Sequence, residues 1–292
     1  MTRPITVGVD GSPASLAATR WAAREAGRRS LPLHVVHAWL WQPLDVPLDQ
    51  DRASQERVAH EVLDEAVAEA RSSVPSVPVT SEVVADTPVP ALLAAADASR
   101  ILVLGSRGHG VVVGFLLGSY GQQVIAAATR PVVSVRAPKG DEGRADTLRG
   151  EVVVGQQGSP EESAPVLEFA FEAAAVRGTS VRAVRAWSLP PLYAYSPGSL
   201  ALADEVGGLE PFERKALTEA LAPLRERYPQ VPVTEHVEIG SAGQVLLSAA
   251  AEADLLVVGR RVRHSTVGMR IGSVAHAALH HAPCPVAVVP HE

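Results

Sequence analysis

Three glycines, Gly105, Gly108 and Gly118, with Ser106, Arg107 and Ser119 among them, stand between a short apolar run, Ile101-Leu102-Val103-Leu104, and a helix-like stretch, Tyr120 to Thr129. Main chain approaches a phosphate closely only where no Cβ intervenes, and a helix start offers unpaired N–H groups with a partial positive charge. The chemistry this arrangement favours is the holding of an anion. By itself it equally fits a turn followed by a helix cap. A second group, Asp10-Gly11-Ser12-Pro13, leaves the apolar run Ile5 to Val9. Ser12 before Pro13 is a helix start, so Val9 and Ser12 have structural work by default. Asp10 stands at the carboxyl end of a strand, where ligand groups gather in parallel sheets.

A P-loop needs a lysine directly after its glycines. The only lysines are Lys139 and Lys215, and neither follows a glycine loop. A bound triphosphate would therefore meet main-chain amides, Arg107 or His109, and a metal ion. Asp10 is the one nearby group able to activate water, so slow turnover is the most that is expected. No cysteine or carboxylate stands at ligand spacing from His280-His281, which reads as a surface pair or a favourable helix-end contact.

Elements in strand-helix alternation must position these groups. Strands are expected at Ile5 to Val9, Leu33 to His37, Val79 to Val84, Ile101 to Leu104 and Val132 to Val135. Between them run helical stripes: Ala14, Ala18, Trp21 and Ala22, then Ala59, Val62, Leu63, Ala66 and Ala70 beside a solvated acidic face, then Pro90 to Ser99. Such alternation calls for an α/β fold: an open parallel sheet, Rossmann-like, with strand order 3-2-1-4-5 and helices on both faces. Strands 1 and 4 are then neighbours where the order reverses. Asp10 and the glycine loop face one crevice.

At 292 residues the chain exceeds one ordinary core. Its second half repeats the first. Val7-Gly-Val-Asp-Gly-Ser-Pro13 is answered by Val154-Gly-Gln-Gln-Gly-Ser-Pro160, His37-Ala38-Trp39 by Arg185-Ala186-Trp187, and Gly105, Gly118 and Pro131 at one constant offset by Gly259, Gly272 and Pro285. Two domains follow, 1–138 and 151–292, joined by a polar linker at 139–150. The copies differ where ligand would sit: Val262 replaces Gly108, and Gln157 replaces Asp10. The second crevice should bind more weakly or stay empty.

Composition narrows the partners. A hydrophobic content of 47%, 20% charged residues and a net charge of −6 describe a globular chain with no basic run, which argues against a general nucleic-acid or anionic-membrane partner. No uncharged apolar run approaches a membrane span. Cys284, the only cysteine, cannot form an intramolecular disulfide, and its proline-flanked setting reads as packed. No charged leader with an apolar stretch opens the chain. A cytoplasmic location is expected.

The spacing Gly105, two residues, Gly108, nine residues, Gly118-Ser119 resembles the nucleotide loop of the universal stress protein family, and so do the Asp10 turn and the closing helix-proline-strand in both halves. The resemblance implies an ATP-binding, cytoplasmic, tandem protein associated with dimers. It places Gly8, Val9, Asp10 and Ser12 beside ribose and phosphates, with Asp10 able to hold a divalent cation such as Mg²⁺. Ala38 would offer main chain to adenine; Gly105, Arg107 and Gly108 would wrap ribose and phosphates; Gly118, Ser119 and Tyr120 would meet the phosphates. In the second half only Ala186, Gly259, Gly272 and Ser273 match.

Three functions follow: a nucleotide-dependent stress regulator, a scaffold of the same fold with a vestigial loop, or an enzyme that activates a substrate through ATP. The absence of a Ser-Gly-Gly run counts against the enzyme. The last strands of the two halves are expected to be edges that need covering, by a homodimer or by each other as a pseudo-dimer within the chain.

Overall fold

A computed structural model describes residues 2–40, 52–106, 119–137, 150–188, 209–262 and 271–292, with main chain only at 52 and 119. Arg107, Gly108, His109, Gly118 and all of the linker but Gly150 lie outside the described residues. The described residues up to Ala137 form one compact unit, and nearly all of those from Gly150 onward form a second.

In the first unit the order is β1 (Ile5–Gly8), α1 (Pro13–Arg29), β2 (Leu33–Ala38), α2 (Arg52–Ser73), β3 (Val79–Val84), α3 (Pro88–Ala98), β4 (Ile101–Ser106), α4 (Ser119–Ala127) and β5 (Val132–Arg136). The strands lie in the order β3-β2-β1-β4-β5, every pair parallel. Parallel strands need crossover helices, and these cover both faces: α1 packs beside α2, and α3 beside α4. A strand covered on both faces is apolar throughout. Thus Ile5, Val7, Ile101, Leu102 and Val103 are fully buried, whereas β3, at the rim of the order, exposes Thr80, Ser81 and Glu82 and half-buries Val79, Val83 and Val84.

Local chemistry sets the helix bounds. Ser12 caps α1 by accepting from the Ser15 N–H at 3.2 Å, and Pro13 supplies a first turn with φ already helical. The helix stops at Ser30, held in the left-handed region at φ 52°, where its N–H reaches the Ala26 and Gly27 carbonyls. Trp21, Ala59, Leu63, Ala66 and Ala70 are core residues, as their helical spacing predicts, whereas Val62 on the same stripe is half-buried at its margin. Glu56, Glu61 and Glu65 are solvated, while Glu69 bonds Arg20 at 3.1 Å.

The second unit repeats the plan with β6 (Val152–Gly155), α5 (Pro160–Arg177), β7 (Val181–Trp187), α6 (Glu210–Arg227), β8 (Val233–Ile239), α7 (Ala242–Ala249), β9 (Leu255–Arg261), α8 (Ser273–His281) and β10 (Val286–His291). Its strands run β10-β9-β6-β7-β8, all parallel, which is the same order read from the other end. Two strands are longer than their apolar runs. β4 continues through Gly105 and Ser106, which pair with Val135 and Arg136, and β9 continues through Gly259 to Arg261. The glycine loop therefore starts two residues later than the apolar run suggests, because the ladder with β5 outlasts the hydrophobic pattern. No described helix is long and apolar enough to cross a membrane.

Candidate functional site

Because β1 and β4 are neighbours in register, Gly8 beside Leu104, the chain leaves both strands at one edge of the sheet. Helices α1 and α4 start just beyond that edge. Each helix start carries unpaired N–H groups and partial positive charge. In open parallel sheets the edge where the strand order reverses is where ligands gather.

The exit from β1 is a rigid turn. Val9 is buried, donates its N–H to the Val36 carbonyl at 2.9 Å, and accepts at its own carbonyl from His37 Nδ1 at 2.8 Å. A carbonyl can only accept, so the His37 proton sits on Nδ1. Asp10 is exposed; its Oδ1 accepts the Ser12 N–H at 3.0 Å, closing a side-chain turn over Gly11, whose φ is 75°. Ser12 is half-buried with its Oγ engaged in the cap of α1. Asp10 is therefore the charged group that the turn presents outward. His37 was not singled out by its residue type; its place before Ala38-Trp39, a repeated segment, was the available signal.

Two of the expected site glycines have packing reasons of their own. A Cβ on Gly105 would stand 2.5 Å from the Ala14 carbonyl carbon and 2.7 Å from the Ser15 nitrogen. The first turn of α1 lies directly on β4. On Gly8 a Cβ would meet Leu92 Cδ2 at 2.6 Å, and on its repeat Gly155 it would meet Leu246 Cδ1 at 3.0 Å. Gly8 makes room for α3 below the sheet, and Gly105 for α1 above it. Ala38, the last residue of β2, is half-buried opposite Val84; Ser119 opens α4, and Tyr120 in its first turn is exposed.

Charge separates the two units. The first turn of α1 holds no acidic residue, whereas that of α5 holds Glu161 and Glu162. Ser159 and Glu162 form a reciprocal cap at 3.3 Å each way, and Glu162 Oε1 also meets Arg261 Nη2 at 2.6 Å. A hydrogen bond with the Ser159 side chain holds the Glu161 carboxyl below its usual range. The positive end of α5 is satisfied by its own carboxylates.

The second crevice is also spanned by side chains. Gln156, at the place of Val9, is buried and donates through Nε2 to the Gly158 carbonyl and to Ser163 Oγ, both at 3.2 Å. Arg185, at the place of His37, donates through Nη1 to Gln156 Oε1 and through Nε to Glu213 Oε2, each at 2.5 Å. Gln157, at the place of Asp10, is exposed. Ala186 is half-buried in β7 opposite Glu238, and Ser273 is exposed at the start of α8. Gly272, at φ 88° with open space where a Cβ would point, is required by its main-chain conformation. Gly259 faces His291, whose Nε2 would lie 2.8 Å from an added Cβ. The Val262 N–H bonds the His291 carbonyl at 2.7 Å. Its main chain continues alongside β10.

For a metal, the described side of the first crevice offers the single carboxylate of Asp10. Among the described residues no three His, Cys, Asp or Glu groups come together as a metal cluster. One carboxylate suits a hydrated Mg²⁺ carried by phosphates rather than a cage made of protein.

Comparisons with known proteins fit this duplicated plan. The model of the universal stress protein family matches residues 1–136 and again 149–290. A universal stress protein of Mycobacterium tuberculosis (strain H37Rv) is 35% identical over 292 residues, covering 97% of this chain and 96% of that one. One of Mycolicibacterium smegmatis is 33% identical over 296 residues, covering 98% and 96%. Among solved structures, a universal stress protein from Archaeoglobus fulgidus matches with a TM-score of 0.71 at 19% identity, covering 99% of this chain and 98% of that one. That last likeness speaks to the fold alone.

Proposed function

The chain belongs to the universal stress protein family, and from that premise we propose that it is an adenine-nucleotide-binding regulator whose first unit holds ATP and whose second unit does not. The observation that carries the proposal is the adjacency of β1 and β4, which brings the Asp10 turn and the start of α1 to the same edge of the sheet as Gly105 and Ser106 at the end of β4. In this reading Gly8, Val9, Asp10 and Ser12 border ribose and phosphates, and Ala38 borders adenine. Gly105, Arg107, Gly108, Gly118, Ser119 and Tyr120 complete the phosphate side, and Asp10 meets a nucleotide-bound Mg²⁺. The nucleotide would report its phosphate state through the loop that wraps it.

Among the described residues the second crevice has internal partners for several groups that a phosphate would meet: carboxylates at the α5 start, Arg185 committed to Glu213 and Gln156, and Arg261 to Glu162. This supports one nucleotide per chain. A reducing, cytoplasmic setting fits a chain whose only cysteine is buried. A homodimer, or pairing of the two halves as a pseudo-dimer, belongs to the same proposal, and sedimentation of the chain with and without ATP measures its stoichiometry.

The test is to denature the purified chain and identify nucleotide in the supernatant, then to titrate the stripped chain with ATP and Mg²⁺. Release from the parent and not from Gly118→Val, with one site per chain, is the expected result. A second reading, a scaffold that needs no nucleotide, is favoured by one observation: Gly105 has a packing reason independent of any ligand. A parent chain that neither carries nor takes up ATP would establish that reading instead.

A further inference from the structure

Helix α8 buries Ala275, Ala278 and Leu279, which leaves His276 exposed, His280 half-exposed and His281 exposed. His276 and His280 are one turn apart on the outer side, with ring centroids 4.2 Å apart and ring planes tilted by 35°. The His280 and His281 rings, neighbours in sequence, are 6.3 Å apart and diverge around the helix. The pair with shared geometry is therefore the one separated by Ala277, Ala278 and Leu279.

We propose that His276 and His280 form a surface chelate for a borderline divalent transition ion of the Zn²⁺ class. Two imidazoles at i and i+4 on one helical face are the arrangement by which a helix presents nitrogen ligands to such an ion. Zinc–nitrogen bonds of about 2.0–2.1 Å require the two ligating nitrogens within about 4 Å of each other. Rings at the observed separation reach that span by rotation within their side-chain torsions. Imidazole suits zinc, copper and nickel, whereas magnesium and calcium prefer oxygen, so the site discriminates against the cation that would accompany a nucleotide. With no three-residue cluster among the described residues, water completes the coordination.

The experiment is calorimetric titration of the full chain with zinc chloride in nucleotide-free buffer, repeated with His276→Ala, His280→Ala and His281→Ala. All three changes fall on the outer side of a helix that favours alanine, and circular dichroism verifies folding. The expected result is one zinc per chain in the parent, a loss of affinity of about tenfold or more in each of the first two variants, and retention in the third. The proposal is overturned by a parent that takes up no zinc, by variants at 276 and 280 that bind as the parent does, or by a His281→Ala variant that loses binding equally. Because no nucleotide is present, its outcome is separate from that of the ATP proposal.

Discussion

Gly105 and Ala14 are so close that a Cβ on the glycine would stand 2.5 Å from the alanine's carbonyl carbon. Neither partner can yield cheaply, since one is held in the ladder between β4 and β5 and the other belongs to the first turn of α1. Gly105→Ala should therefore destabilise the first unit by about 1–3 kcal/mol, the usual cost of overpacking a tight core. Urea unfolding measures it. A variant as stable as the parent would mean that α1 can lift off β4 freely.

Asp10→Asn separates the carboxylate's two jobs. Asparagine keeps an oxygen to accept the Ser12 N–H, so the turn and its stability should persist within about 0.5 kcal/mol. The negative charge is lost. If Asp10 meets a nucleotide-bound cation, ATP affinity should lose its dependence on Mg²⁺ in calorimetry; an unchanged dependence would assign Asp10 to the turn alone.

Arg185 does in the second unit what His37 does in the first, tying the end of one strand to the exit of its neighbour. Arg185→Ala leaves buried Gln156 without its strongest donor and Glu213 without its cation, and should cost about 1.5–3 kcal/mol. The paired change Arg185→His with Gln156→Val restores the first unit's residues and should cost less than the single alanine. Denaturant midpoints decide between them, and a double variant weaker than Arg185→Ala would refute the equivalence.

Ser30 holds a left-handed conformation at the end of α1, where the repeat has Gly178 at φ 64° in open space. Ser30→Gly should stabilise by about 0.5–1 kcal/mol, relieving the Cβ penalty against a larger loss of chain entropy. Thermal unfolding tests the sign.

The Ser159 cap links stability to pH. Glu161 has a folded pKa below its ordinary one, chiefly through Ser159, so its contribution is present above the unfolded value and is lost as pH falls through the folded value. Ser159→Ala should lower stability at neutral pH by about 1 kcal/mol and flatten the acid limb of the stability curve. An acid limb as steep as the parent's would remove Ser159 from that role.

Read alone, the residues determined that strand and helix alternate, that the plan is written twice, and that strands 1 and 4 meet at the switch point. These features follow from hydrophobic period, capping residues and turn glycines, all of which are local and survive in a linear pattern. What the tertiary structure alone decided concerns which groups approach one another across the fold. Gly105 reads in sequence as a loop residue with room for phosphate, yet its place in β4 and its missing Cβ answer to α1 passing overhead. Gln156 and Arg185 stand in the sequence only as counterparts of Val9 and His37 in the repeat, yet β6 and β7 bring them together as a bridge. Val262 and Gln157 are the departures of the second crevice that the sequence displays; the Arg185 bridge and the reciprocal cap at the acidic start of α5 are added by the structure. Side-chain reach and main-chain proximity depend on strand neighbours far apart in the chain, and no spacing along the chain encodes them.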